Sequence, residues 1–571
     1  MNLNTQTQIL RTLHDQPGEQ IAAWMRRAEL QMNFARAFTA ALPAYDTTGW
    51  QESIERAQTL LDNAETAPDL AGIIAAVQAA EAEMSAIGTE AKNYRIHCVG
   101  HGHIDMNWMW SWAETVAATH DTFASVLSLM EQYPELTFSQ SQASVYALME
   151  RYYPDLFTQI QQRVKEGRWE VTAVHWVEGD KNLASAESLC RHLLYTRLYF
   201  QEKFGLSPED VPVDWEPDTF GHANTIPGIL AQGAAKYYYS CRQGGGFDHV
   251  RIGDRRPPLF YWQSPDGSRV LVNRESTWYN SYVNIGDNIA LPMVNFVKET
   301  QLHDWLNIYG LGNHGGGPTR KEIDYLLSLR EFPIYPQIVF GTATRYFQTV
   351  EQALAHQGLT LPIIDHELNF EFTGCYTSQS LIKRANRFGE NYLVEAETLA
   401  AISARLGGQT YPTELLREGW LGVLFNQFHD ILAGTSLESA YGDARDSYGE
   451  ALAIGNRVLI EAVEALSWNI QLEADEAARP FVVFNHHAWA SRCAVEVEFG
   501  APPIGDDVLL DDAGEEIPYQ IVLAESASNL RFRLAFVADL PPLGYATYTL
   551  RPRPAGQAAP LVAAPVATGG D

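Results

Sequence analysis

Cysteine is scarce in this sequence, and positive charge is in deficit. Five cysteines, Cys98, Cys190, Cys241, Cys375 and Cys493, are scattered along 571 residues with no CxxC pair. That excludes a disulfide framework and favours a reducing compartment, so the cytoplasm is the expected location. The opening residues, MNLNTQTQILRTLHDQ, lack the basic stretch and apolar core of a secretory leader. No apolar run approaches the length of a membrane span. Lys plus Arg number 40 against 70 Asp plus Glu, a formal net charge of −30. Such a surface repels nucleic acid and anionic lipid and suits a neutral or cationic ligand.

What is present is ample core material. Hydrophobic residues make up 46% and charged residues 19% of the chain, a globular balance at a length that implies about three or four domains. Residues 1–92 read as helical, with periodic apolar spacing over 20–42 and 70–87. This region is expected to cover a neighbour or to oligomerise rather than to catalyse.

From 93 to 375 the texture changes. Short runs rich in β-branched and aromatic residues alternate with helical stretches: RIHCV (95–99), WEVTAV (169–174), VPVDW (211–215), KYYYS (236–240), RVLVN (269–273), LNIYGL (306–311) and IVFGT (338–342). The alternation predicts βαβ units, a parallel sheet and a barrel-like α/β domain, with chemistry just past the C-terminal strand ends. Residues 376–475 predict a three-helix bundle, with helices over 380–406, 412–432 and 436–468. Thr435 and Glu438 stand in capping-box spacing before the last helix. Residues 476–571 read as β structure, ending in a Pro/Ala/Gly-rich tail expected to be disordered.

Three short motifs carry chemistry. VGHGHIDMNWMW (99–110) follows the first barrel-like strand and sets His103 and Asp105 two residues apart. On an extended backbone both side chains face one side, where an imidazole and a carboxylate can chelate a metal. Taken alone, a pair of hydrogen-bonded polar residues is the simpler reading. WEPDTFGHAN (215–224) places Asp218 after another strand, with Gly221 for a tight turn and His222 beyond it. FNQFHDILAGTS (425–436) sets His429 and Asp430 among apolar residues, where an unpartnered charge is costly. Two His and two Asp make a plausible zinc set.

In order and spacing these motifs resemble glycoside hydrolase family 38, the class II α-mannosidases, in a bacterial form. GRWEVTAVHWVEGDKNLASAESL (167–189), LFYWQSPDGSRVLV (259–272), GNHGGGPTR (312–320) and YTSQSLIKRANR (376–387) extend the likeness, which runs from about 94 to 470. The resemblance implies a (β/α)7-barrel catalytic domain, a three-helix bundle and a C-terminal β-sandwich portion. It implies one Zn2+ per chain held by His103, Asp105, Asp218 and His429, with Asp218 also the nucleophile. Trp108 is implied to pack on the sugar, with Phe220 beside it in the substrate site, and Asp430 to hydrogen-bond the sugar. The implied partner is a mannose-containing oligosaccharide or mannoside, with no nucleic acid and no membrane; a homo-oligomer stays open.

A retaining glycosidase needs a nucleophilic carboxylate and a second carboxyl serving as acid and then base. The resemblance places the second carboxyl in the Gly-rich loop after LNIYGL, where this sequence has Asn313. An amide cannot donate a proton as a carboxylic acid does. An engineered substrate-trapping variant, a stand-in such as His314, or loss of hydrolysis with retained sugar binding are the three accounts of it. A metal-dependent polysaccharide deacetylase and a mannoside-binding protein are the rival functions.

Overall fold

The computed structural model describes residues 17–42, 47–65, 69–242, 257–275, 277–281, 289–368, 372–472, 475–500, 507–524 and 531–553. The tail expected to be disordered, 554–571, lies outside the described residues. The chain divides into two compact units, Met1–Glu390 with Leu421–Tyr448, and Asn391–Trp420 with Gly449–Asp571. Among the described residues no single helix is long and apolar enough to cross a membrane, and all five cysteines are free.

The first unit is α/β. Its strands are β1 (Arg95–Gly100), β2 (Phe138–Gln140), β3 (Trp169–Val171), β4 (Val213–Glu216), β5 (Tyr237–Ser240), β6 (Leu259–Gln263), β7 (Arg269–Arg274), β8 (Asp304–Tyr309), β9 (Gln337–Phe340) and β10 (Ile363–Ile364). All seven strand-like runs of the sequence form strands. β1, β4, β5 and β8 are buried along nearly their whole length, as strands covered on both faces must be.

The strands form two five-stranded sheets. One runs β3-β2-β1-β8 with β9 also paired to β1; the other runs β10-β6-β7-β5-β4. Pairing is parallel except at β6–β7, an antiparallel hairpin closed over Pro265, Asp266 and Gly267. The expected (β/α)7 ring is not closed by these pairings: among the described residues no ladder joins β3 to β4 or β7 to β8. Some helices between strands start at side-chain caps. Ser185 caps Ala186–Phe204, and Thr319 with Glu322 forms a capping box on Arg320–Leu329.

The N-terminal helices Pro17–Ala41, Thr48–Glu65, Leu70–Glu83 and Ser85–Ala91 belong to this same unit. Phe38 packs edge-on against Tyr94 at 5.0 Å, and buried Gln31 Oε1 accepts from the amide of Ile334 at 2.8 Å. A covering role follows from these contacts.

Two helical expectations need correction. The helix expected over 412–432 is broken: Thr413–Phe425 ends, and a short turn His429–Ala433 follows. The break frees main-chain groups to pair elsewhere: Asp180 N donates to Gln427 O at 2.9 Å and His429 N to Glu178 O at 3.2 Å. Nor does Thr435 cap the last helix. Its hydroxyl bonds back to the carboxylate of Asp430, and the helix runs Glu438–Ser467.

In the second unit β11 (Arg479–Asn485), β12 (Ser491–Phe499), β13 (Asp507–Leu510), β14 (Glu516–Ile517), β15 (Tyr519–Val522), β16 (Phe532–Leu540) and β17 (Gly544–Pro552) form two antiparallel sheets, β11-β17-β13-β14 and β12-β16-β15. One apolar cluster, including Leu509, Leu534, Phe536 and Tyr548, draws on both sheets.

Candidate functional site

The site assembles from three chain segments of the first unit, two at strand ends and one at a helix break. After β1, Ile104 bridges antiparallel to His314 in the Gly-rich loop. The backbone there is extended, so His103 and Asp105 project to one side. Asp218 follows β4, and His429 opens the short turn after the helix break.

The structure brings these four together, all buried. His103 Nε2 lies 2.8 Å from Asp105 Oδ1 and 3.7 Å from Asp218 Oδ2. His429 Nε2 lies 3.6 Å from Asp105 Oδ1 and 3.9 Å from Asp218 Oδ2. His103 Nε2, Asp105 Oδ1 and His429 Nε2 make no aligned hydrogen bond despite burial. Buried polar atoms are rarely left so, and three around one point indicate an absent common partner. Nitrogen and oxygen ligands about 2.0–2.2 Å from a tetrahedral ion stand roughly 3.4 Å from one another. The observed separations bracket that figure, so the residues fit a zinc-sized cation.

Electrostatics agree. Burial opposes charge on both imidazoles, but Glu178 and Asp105 raise His103 well above its ordinary value. Against the same burial, Asp105, Asp430 and Asp218 push His429 up to about 9. Burial and Asp105 push Asp430 up to about 7. Burial would also raise Asp105, yet His103 and His429 hold it down at about 2. The pocket concentrates negative potential where it presents its free donor atoms.

The other sequence-predicted residues are placed as follows. Phe220 lies edge-on to His429 with ring centroids 5.4 Å apart. Asp430 Oδ2 is 3.6 Å from His429 Nε2. Trp108 is partly buried and edge-on to Trp110 at 5.7 Å. Asn313 adopts φ +65°, a region Asn tolerates better than most residues. Its side chain lies 3.0 Å from the hydroxyl of Tyr279, which is itself 2.7 Å from Asp218 Oδ2. His314 is exposed. His222 stands apart from the metal set, its Nδ1 2.6 Å from Tyr238 Oη.

Sequence reasoning missed three residues. Arg242, just past β5, pairs with Asp218 Oδ1 and lies over the rings of Trp278 and Phe372 at 4.9 and 5.1 Å. A cation at a strand's C-terminal end was the available signal. Tyr279 offered none. Glu178, fully buried, lies inside the quoted run VHWVEGDK, where a carboxylate amid apolar residues was the clue.

The family model "Glycosyl hydrolases family 38 N-terminal domain" matches residues 93–371, and "Alpha mannosidase middle domain" matches 371–466. The chain belongs to glycosyl hydrolase family 38. Within this family it is similar to "Alpha-mannosidase G" of Dictyostelium discoideum, 31% identical over 373 residues, covering 64% of this chain and 32% of that protein. It is 29% identical over 380 residues to "Alpha-mannosidase 2C1" of Homo sapiens, covering 65% and 35%. The chain thus spans about a third of the length of these curated relatives. Its fold matches the crystal structure of an alpha-mannosidase from Enterococcus faecalis V583 with a TM-score of 0.67 at 20% identity, over 80% of this chain and 56% of that one. The four converging side chains all fall inside the two matched segments.

Proposed function

We propose that this chain is a zinc-dependent retaining α-mannosidase acting on terminal α-linked mannose of an oligosaccharide or mannoside in the cytoplasm. The observation that carries the reading is the set of orphaned donor atoms of His103, Asp105 and His429 facing Asp218. On this reading the α/β unit is the (β/α)7 barrel of the family, and the two C-terminal sheets belong to its β-sandwich portion.

His103, Asp105, Asp218 and His429 would hold the zinc, which would supply a Lewis-acid anchor for sugar hydroxyls and so help to fix the ring. Asp218 attacks the anomeric carbon as the bond to the leaving oxygen breaks, giving a glycosyl ester. Water then cleaves that ester with overall retention. Arg242 and Tyr279 hold the Asp218 carboxylate in place between turnovers. Phe220 and Trp108 supply apolar surface for the sugar, and Asp430 accepts a hydroxyl.

Asn313 stands where the second carboxyl is expected. It leaves poor leaving groups without a proton donor, so turnover of natural mannosides is slow. This substitution also favours a second reading, a mannoside-binding protein with impaired hydrolysis.

Metal analysis and a mannosidase assay on one sample test the proposal. The expected result is one zinc per chain and mannose of retained configuration from an activated aryl α-mannoside, abolished by chelation. Acetate release from an N-acetylated glycan without mannose would replace the reading with a deacetylase. Zinc-dependent mannose binding with no turnover even of activated mannosides would leave only the binding protein.

A further inference from the structure

Both imidazoles of the site have their rear nitrogens against one residue, His429 through a hydrogen bond and His103 through a close contact with a carboxylate. His103 Nδ1 lies 2.8 Å from Glu178 Oε2. His429 Nδ1 lies 2.8 Å from the main-chain carbonyl oxygen of the same Glu178, which also accepts the His429 amide at 3.2 Å. An imidazole with one nitrogen donating to a fixed acceptor keeps its proton there and bares the other nitrogen. Glu178 therefore fixes the tautomer of His429 through its carbonyl and sets its carboxylate beside Nδ1 of His103, so that Nε2 of each ring faces the common point.

Glu178 is itself fixed. It is fully buried, and its second carboxylate oxygen accepts from the hydroxyl of Ser141. Its amide donates to Gln142 Oε1 at 3.2 Å, while Gln142 Nε2 donates to Ile104 O at 2.8 Å. Ile104 lies between His103 and Asp105. The adjoining Gly179 bridges antiparallel to Phe428, next to His429. Thus the loop after β1 and the turn at 429, whose donor atoms are separated by more than 320 residues, meet on one short segment.

We infer that Glu178 is a positioning residue that sets the geometry of both histidines for the metal, through its side chain to one and its main chain to the other. The inference rests on the zinc reading above. Residues orienting a metal's ligands typically contribute about 10–100-fold to affinity. The split between side chain and main chain makes a graded expectation. Glu178→Ala removes the acceptor of His103 and keeps that of His429. Glu178→Gln keeps an oxygen acceptor and the shape but loses the charge.

The test measures zinc affinity by chelator competition, the visible spectrum of the cobalt-substituted protein, and thermal stability of the metal-free form. Zinc affinity is expected to fall about 10–100-fold in Glu178→Ala and by less in Glu178→Gln. The cobalt spectrum should change in both, while metal-free Glu178→Gln melts with the wild type. Unchanged affinity and an unchanged cobalt spectrum in Glu178→Gln would overturn the inference. So would an affinity loss accompanied by an equally destabilised metal-free fold, which marks a merely structural residue. A wild-type chain that takes up no stoichiometric zinc would instead overturn the metal reading, and the inference with it.

Discussion

The main-chain carbonyl of Asn313 accepts a hydrogen bond from the amide of Asp105 at 3.0 Å, tying the Gly-rich loop to the metal-facing segment. Asn313 holds this bond at φ +65°, which Asp also tolerates. Asn313→Asp should therefore leave the loop in place and restore a carboxyl. Hydrolysis of mannosides with poor leaving groups is expected to rise by about 10²–10⁴-fold, and of aryl mannosides with good leaving groups much less. Steady-state rates on the two substrate types decide it. An equal change on both would remove position 313 from the acid role.

Gly221 has no room for a side chain. A Cβ there would run into Tyr376 Oη and Asn182 Nδ2, which hydrogen-bond each other at 2.8 Å. Gly221→Ala is expected to destabilise the fold by about 1–3 kcal/mol through overpacking and to weaken zinc binding by shifting the turn that carries Asp218. Adding Tyr376→Phe should recover part of the stability. Denaturant titration of the single and double variants reads the effect. An alanine variant as stable as wild type would refute the steric argument.

Lys181 is a buried ammonium 2.7 Å from Glu216 Oε1, 3.4 Å from Asp214 Oδ2 and 3.1 Å from His175 Nδ1. Burial opposes its charge, but Asp214 and Glu216 outweigh burial and raise it. Burial and Asp214 push Glu216 up to about 8, and Lys181 opposes that shift. Lys181→Met removes one partner of a buried pair and should cost about 3–5 kcal/mol. The measurement is urea unfolding at neutral pH; a loss under about 1 kcal/mol would show that the network relaxes around the change.

Metal removal should be read as lost stability. Zinc at 100 times its dissociation constant adds about 2.7 kcal/mol to unfolding free energy, so chelation should lower the melting temperature. Both histidines must shed protons to bind a metal, and His429 is pushed up to about 9 by Asp105, Asp430 and Asp218 against its burial. Apparent zinc affinity should fall as pH falls, with protons released on binding. Calorimetry in buffers of different ionisation enthalpy measures that release. Binding without proton release would contradict the histidine ligation.

The sequence alone determined the local elements and the candidate ligands. Every strand-like run over 93–375 forms a strand, because a buried parallel strand needs a continuous apolar run, and that is visible in a few residues. His103 with Asp105, Asp218 and His429 were legible because short polar motifs at strand ends, or within apolar surroundings, are conspicuous. Tertiary structure decided what no local pattern encodes. The helix expected through 412–432 breaks because main-chain groups at 427 and 429 find partners at 180 and 178. Thr435 turns from its cap to Asp430, five residues back, once the broken helix leaves that carboxylate within reach. Glu178, Arg242 and Tyr279 enter the site through contacts spanning roughly 24 to 250 positions, beyond any periodicity or motif. A residue's own chemistry is fixed by its identity, whereas what it faces depends on long-range packing that only the complete fold sets.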